Sequence, residues 1–257
     1  MSASRVTFAA AAVMLKMLFR ARVVVVATVL QPVVFTAIVS LLLRVGSRGD
    51  PTLGEAMGAT VMGMWSSVLF FAGGMLTRER RQRTLEMIVA APAPLLLIML
   101  GTSLATALMG LYSLVASVAV VTFGFGVPLE IAEPGAFAVA SLAAIAGTGL
   151  FGVLLAAFFV MFRQAGIFQN MLEYPVWIAS GVMVPLALLP APVQVIGWLL
   201  PPTWGQEALR DAASGAGGSW SASLACAGLG VGYFVLGGVL LMLAEQRARM
   251  RATLPLS

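Results

Sequence analysis

The chain has 257 residues, of which 60% are hydrophobic and 10% charged, with a net charge of +5 and a mean hydropathy of +1.01. A soluble domain carries about 25% charged residues, so this composition excludes a large soluble domain and describes a polytopic membrane protein. With no His, one Lys and one Cys, the chain also excludes a Ser-His-Asp triad, a zincin-type metal site, an imidazole proton relay and any disulfide within one chain.

Residues 3–20 are Ala-rich and apolar but carry Arg5, Lys16 and Arg20. They read as an amphipathic helix lying in the membrane interface. The apolar run that follows Arg20 and Arg22 is not trailed by a small-residue cleavage pattern, so it reads as an uncleaved first span. A span needs about 20 apolar residues. That criterion places six, near 23–43, 57–77, 95–122, 135–162, 171–189 and 220–244. The expected fold is therefore all-α, a single transmembrane domain over residues 1–257. Between the fifth span and the last, Pro190, Pro192, Pro201 and Pro202 punctuate the sequence, and Val193 to Leu200 is apolar but too short to cross. Residues 190–205 read as an outer re-entrant or interfacial segment, with Trp198 and Trp204 suited to the headgroup level.

With the N-terminus inside, twelve of the fifteen Lys and Arg residues fall on the inner side, leaving only Arg44, Arg48 and Arg210 outside. The positive-inside rule then puts both termini in the cytoplasm of a plasma membrane, in bacteria the inner one. The basic pI of 10.3 reflects topology and anionic lipid headgroups rather than a nucleic-acid partner. Small residues recur at four-residue spacing in Ala143/Gly147, Thr148/Gly152 and Gly228/Gly232. They allow close helix packing, within one subunit or between two.

The second and third spans are separated by an abrupt charged stretch, Arg78-Glu79-Arg80-Arg81-Gln82-Arg83-Thr84-Leu85-Glu86, which opens the inner segment 78–94. Glu79 and Arg83 have the order favoured for an i,i+4 ion pair. Leu85, Ile88 and Val89 fall on one helical face, and Pro92 and Pro94 end the helix. A loop that only sets topology needs two or three arginines, so the amphipathic continuation suggests a docking element. The chain has no Walker A loop, because its only Lys, Lys16, follows Val13-Met14-Leu15 rather than a Gly-rich turn.

This stretch resembles the inner loop of the membrane subunits of type-2 ABC exporters, which commonly reads Glu-Arg-Glu-x-Gly-Thr-Leu-Glu before an apolar run and Pro. Here Arg83 replaces the usual Gly. A second similarity covers Phe162-Arg163-Gln164-Ala165, Glu173-Tyr174-Pro175-Val176-Trp177, Ser180-Gly181, Val184-Pro185 and Leu189-Pro190. It closes on Pro202-Thr203-Trp204-Gly205. The resemblance spans essentially the whole chain. It implies a permease with no catalytic, metal or cofactor site of its own, paired with a second copy or a paralogue. Two cytoplasmic ABC ATPase subunits would carry the ATP and Mg and dock on Arg83, Thr84, Leu85, Glu86, Ile88 and Val89. It also implies a substrate path along the second and fifth spans, with Met62, Met64, Trp65, Phe70, Phe71, Tyr174, Trp177 and Met183 as lining residues. Glu173 enters an apolar span, and an acid there is either part of the path or paired harmlessly near the interface with Arg163. The expected cargo is a hydrophobic drug, antibiotic or lipid. A glycan exporter remains an alternative, and so does an ATP-independent transporter or channel, whose sites lie among paired broken helices.

Overall fold

The computed structural model describes residues 3–20, 30–38, 40–41, 53–83, 94–128, 130–161, 165–183 and 186–252. Every regular element among them is helical, as a chain in hydrocarbon requires when its backbone must satisfy its own hydrogen bonds. In chain order, α1 is Ala3–Arg20 and α2 covers residues 30–38. Helix α3, Leu53–Ser67, runs into a π-helical turn, Val68–Ala72, and then into α4, Met75–Arg81. Then come α5 (Leu95–Leu108) and α6 (Gly110–Ala119), which ends in a second π turn, Val120–Gly124. Helix α7 is Pro134–Val160, α8 is Ala165–Ala179, α9 is Ala191–Trp198, α10 is Pro201–Ser214 and α11 is Ser219–Ala252.

Four described stretches are long and apolar enough to cross a bilayer: Ala56–Arg81, Leu95–Gly124, Pro134–Val160 and Ser219–Ala244. They match the second, third, fourth and sixth expected spans. The second is longer than the apolar run alone implied, because Arg78 to Arg81 continue the same helix as α4. The fifth differs from expectation. Its helix starts at Ala165 and ends at Ala179, and the chain then turns at Gly181, where φ is +79°. Of the expected first span, residues 30–38, 40 and 41 are described, and all are helical.

Helix α7 is the hub, packed against α5, α10 and α11. Its small residues make those approaches possible. A side chain at Gly147 would strike Cys226, and one at Gly152 would strike Val68 and Ser103. Gly228 and Gly232, by contrast, face open space, and no described residue packs on this third pair. Across the core, Trp65 of α3 stacks on Phe151 of α7 at 5.6 Å, and Phe151 meets Tyr233 of α11 at 4.7 Å. Helix α1 lies lengthwise on α5 and runs in the same direction. Thr7 abuts Gly101, Met14 and Leu18 cluster with Ala105 and Met109, and Phe19 sits edge-on to Tyr112 at 5.8 Å.

The Pro-rich segment folds as a short 3-10 turn, Leu186–Leu188, followed by α9. The last carbonyls of a helix lack internal partners, and in this short helix three side chains supply them. Thr203 donates to the Gly197 carbonyl at 2.7 Å, Trp204 Nε1 to Trp198 at 2.9 Å and Tyr233 to Leu199 at 2.7 Å. An eight-residue helix is thus anchored to α10 and α11 by its C-terminal end.

Candidate functional site

Helix α8 buries a polar stripe. Gln169 and Glu173 are four residues apart, so they share a face, and each is only 8% exposed. Both reach across to the second span. Gln169 Nε2 donates to the Leu69 carbonyl at 3.1 Å, inside the π turn. That turn shifts the hydrogen-bond ladder from i→i−4 to i→i−5, as Gly73 N–H to Val68 O at 2.9 Å illustrates. A side-chain donor for a carbonyl in the turn is what such a bulge in hydrocarbon needs. The clamp requires glycine nearby, because a Cβ at Gly74 would lie 2.7 Å from Gln169 Nε2. At the charged end of the turn, the Arg78 guanidinium donates to the Phe71 carbonyl at 3.3 Å.

One turn further along α8, Ser66 Oγ donates to Glu173 Oε1 at 2.8 Å, and Gln31 Nε2 from α2 donates to the same oxygen at 3.3 Å. Gln31 and Ser66 are themselves 3.4 Å apart. Three helices therefore converge on one carboxylate oxygen. Ser66 stands near the middle of the 26-residue span Ala56–Arg81, about 15 Å of helix from its Ala56 end. Glu173 is thus level with the middle of that span. The interfacial alternative, Arg163, lies outside the described residues. Beyond Glu173, Trp177 packs edge-on to Phe35 at 5.0 Å and to Tyr174 at 5.1 Å.

The residues named from the sequence divide by location. Met62, Met64, Trp65 and Trp177 are buried in the subunit's own core, each at most 3% exposed. Phe70 and Phe71 are half-buried, while Tyr174 and Met183 are 57% and 44% exposed. Of the docking residues only Arg83 is described. Thr84, Leu85, Glu86, Ile88 and Val89 lie outside the described residues. Arg83 is exposed, and it is the one described non-glycine residue with positive φ, +60°. It follows the C-cap of α4, and its N–H bonds to the Arg80 carbonyl at 3.2 Å. That left-handed position just past a helix end is one where glycine is favoured.

Sequence reasoning missed Gln31, Ser66 and Gln169. Gln31 was signalled only as a lone amide in apolar surroundings, Gln169 only as one of the adjacent amides Gln169-Asn170, and Ser66 by nothing, since serine is ordinary in membrane helices.

The arrangement is one continuous element that joins a charged handle to a buried polar cluster, within a bundle of apolar helices. An ABC-2 type transporter family model matches residues 6–213, from α1 through α10. The chain belongs to the ABC-2 type transporter family. No curated protein matches it. As an ABC-2 permease it is a multi-pass integral membrane protein, the transport subunit of an ABC exporter and not a catalytic one, and the family associates with an ABC ATPase component. The single Lys fits that division of labour. Lys16 lies within α1, whose eighteen residues contain no glycine, so it has no Gly-rich loop in which to cradle phosphate.

Proposed function

We propose that this permease is half of an ATP-driven exporter: two permease subunits, either two copies or this chain and a paralogue, with two cytoplasmic ATPase subunits that hold ATP and Mg. Both termini are cytoplasmic in this reading, and the ATPase grips residues 83–91. The supporting observation is the continuity of the second span from the handle to the acid. Motion at Arg81 passes through α4, the Gly73–Gly74 pair and the π turn to Ser66, and reaches α8 through two hydrogen bonds, one at the Leu69 carbonyl and one at the Ser66 hydroxyl. ATP-driven closure of the ATPase pair biases these contacts between two arrangements, as a switch between inward and outward access requires.

The cargo is a hydrophobic drug, antibiotic or lipid-like molecule that moves along the open face of α8. Met171 (64% exposed), Tyr174 (57%) and Ile178 (43%) line that face. Flexible and aromatic side chains suit varied greasy ligands. Met62, Met64 and Trp65 contribute by packing behind this wall.

The docking contact supplies the test. Burying an aliphatic side chain stabilises a contact by roughly 1.5–3 kcal/mol, so replacing both Leu85 and Ile88 with Asp should release the ATPase or uncouple its hydrolysis from export. Insertion should survive, because the arginines that set topology remain. Unchanged copurification of ATPase together with unchanged efflux would reduce the handle to a topological signal.

A further inference from the structure

We propose that Glu173, with the aromatic trio Phe35, Tyr174 and Trp177 beside it, is a recognition site for amphipathic organic cations, which names the cargo class of the export reading above and rests on that reading for the word cargo. Both donors at Glu173 are neutral and both bond Oε1, so neither serves Oε2. No described Lys or Arg pairs with the carboxylate. A carboxylate level with the middle of an apolar span is costly unless it meets a cation, and two neutral hydrogen bonds to one oxygen do not supply the opposite charge. The described residues do not supply that charge, and Glu173, itself 8% exposed, adjoins Tyr174 on the open face of α8, where Tyr174 is 57% exposed.

The surroundings fit the rest of such a ligand. Gln31 and Phe35 are four apart on α2, and Glu173 and Trp177 are four apart on α8. The polar pair thus forms one layer and the aromatic pair the next, completed by Tyr174. Faces of Trp and Tyr attract cations and pack on apolar bodies. Trp177 is 2% exposed, yet its Nε1 has no hydrogen-bond partner among the described residues, although a buried indole N–H normally finds one. An oxygen on the ligand body would satisfy it. Pro175, inside α8, has no N–H to offer the Met171 carbonyl, which leaves a further acceptor within a turn of the acid.

The test uses the full-length permease in phosphatidylcholine nanodiscs, whose neutral headgroups do not themselves attract a cation. Tetraphenylphosphonium and tetraphenylborate are the probes, alike in size and opposite in charge. The wild type should bind the phosphonium saturably. Glu173→Gln, which keeps an oxygen for Ser66 and Gln31, should weaken that binding roughly tenfold or more while leaving borate binding unchanged. Because Glu173→Gln could fail to fold, a second measurement uses the wild type alone. Dicyclohexylcarbodiimide should label Glu173, as read by mass spectrometry, and the phosphonium should protect it where the borate does not. Equal phosphonium affinity in both proteins, or labelling that the phosphonium leaves untouched, overturns the proposal. Cation binding without ATPase association would remove the export reading and leave this site standing, and the reverse result would do the opposite.

Discussion

At Arg83 the chain adopts a left-handed conformation that costs a residue bearing a Cβ roughly 1–2 kcal/mol. Its position past the α4 C-cap explains why related exporters are expected to carry glycine there, a departure visible in the sequence whose cause was not. Arg83→Gly should relieve the strain, offset in part by glycine's greater unfolded-state freedom. The net stabilisation should be up to about 1 kcal/mol, read as a higher midpoint in SDS-induced unfolding. A lower midpoint would mean that the guanidinium makes a contact worth more than the strain. Glu173 shows the other limit of residue-level reading. Its presence in an apolar run was legible, but its depth was not, because depth is set by register against Ser66 and Gln31, which lie far from it in sequence.

At the level of elements, hydropathy located the long spans well, since four of the six expected stretches recur as helices able to cross. It misplaced the fifth, because an apolar window cannot tell that Gly181 turns the chain or that the helix reaches back to Ala165. Nor did it indicate the π turns at Val68–Ala72 and Val120–Gly124, which have no sequence signature of their own. Helix α10 carries a testable electrostatic feature. Burial first, then the neighbouring Asp211, raises the Glu207 carboxyl above its ordinary range, with Arg210 opposing; burial raises Asp211 as well, again opposed by Arg210. For raised acids the folded state holds protons that the unfolded state has released. Their contribution is therefore fully present below the ordinary carboxylate range and is lost as pH climbs through the raised values. Hydrogen-exchange protection factors for α10 amides should fall over that window, and Glu207→Gln should flatten the dependence. Protection that rises with pH would contradict the assigned environment.

For the whole molecule, the family and the all-helical membrane fold were legible because both follow from features spread along the entire chain: composition, the spacing of apolar runs, and two motifs in the same order. What was not legible is which apolar residues face outward. Met62 and Trp65 look no different in sequence from Met171 and Tyr174, and only packing places the first two in the core and the others on the surface. The proposed orientation makes a direct prediction. Ser47→Cys and Ser214→Cys should react with impermeant thiol reagents from outside sealed cells, while Gln82→Cys and Gln246→Cys should not. Buried Cys226 adds little background, and external labelling at position 82 would invert the arrangement. The central claim is that this chain moves cargo with energy hydrolysed on a separate ATPase. It is tested most directly by reconstituting the purified permease into liposomes with and without that ATPase and following ATP-dependent movement of a labelled amphipathic compound. The expected result is no hydrolysis by the permease alone, and transport only when the ATPase and hydrolysable ATP are both present. Transport at the same rate by the permease alone would contradict it and identify an ATP-independent transporter.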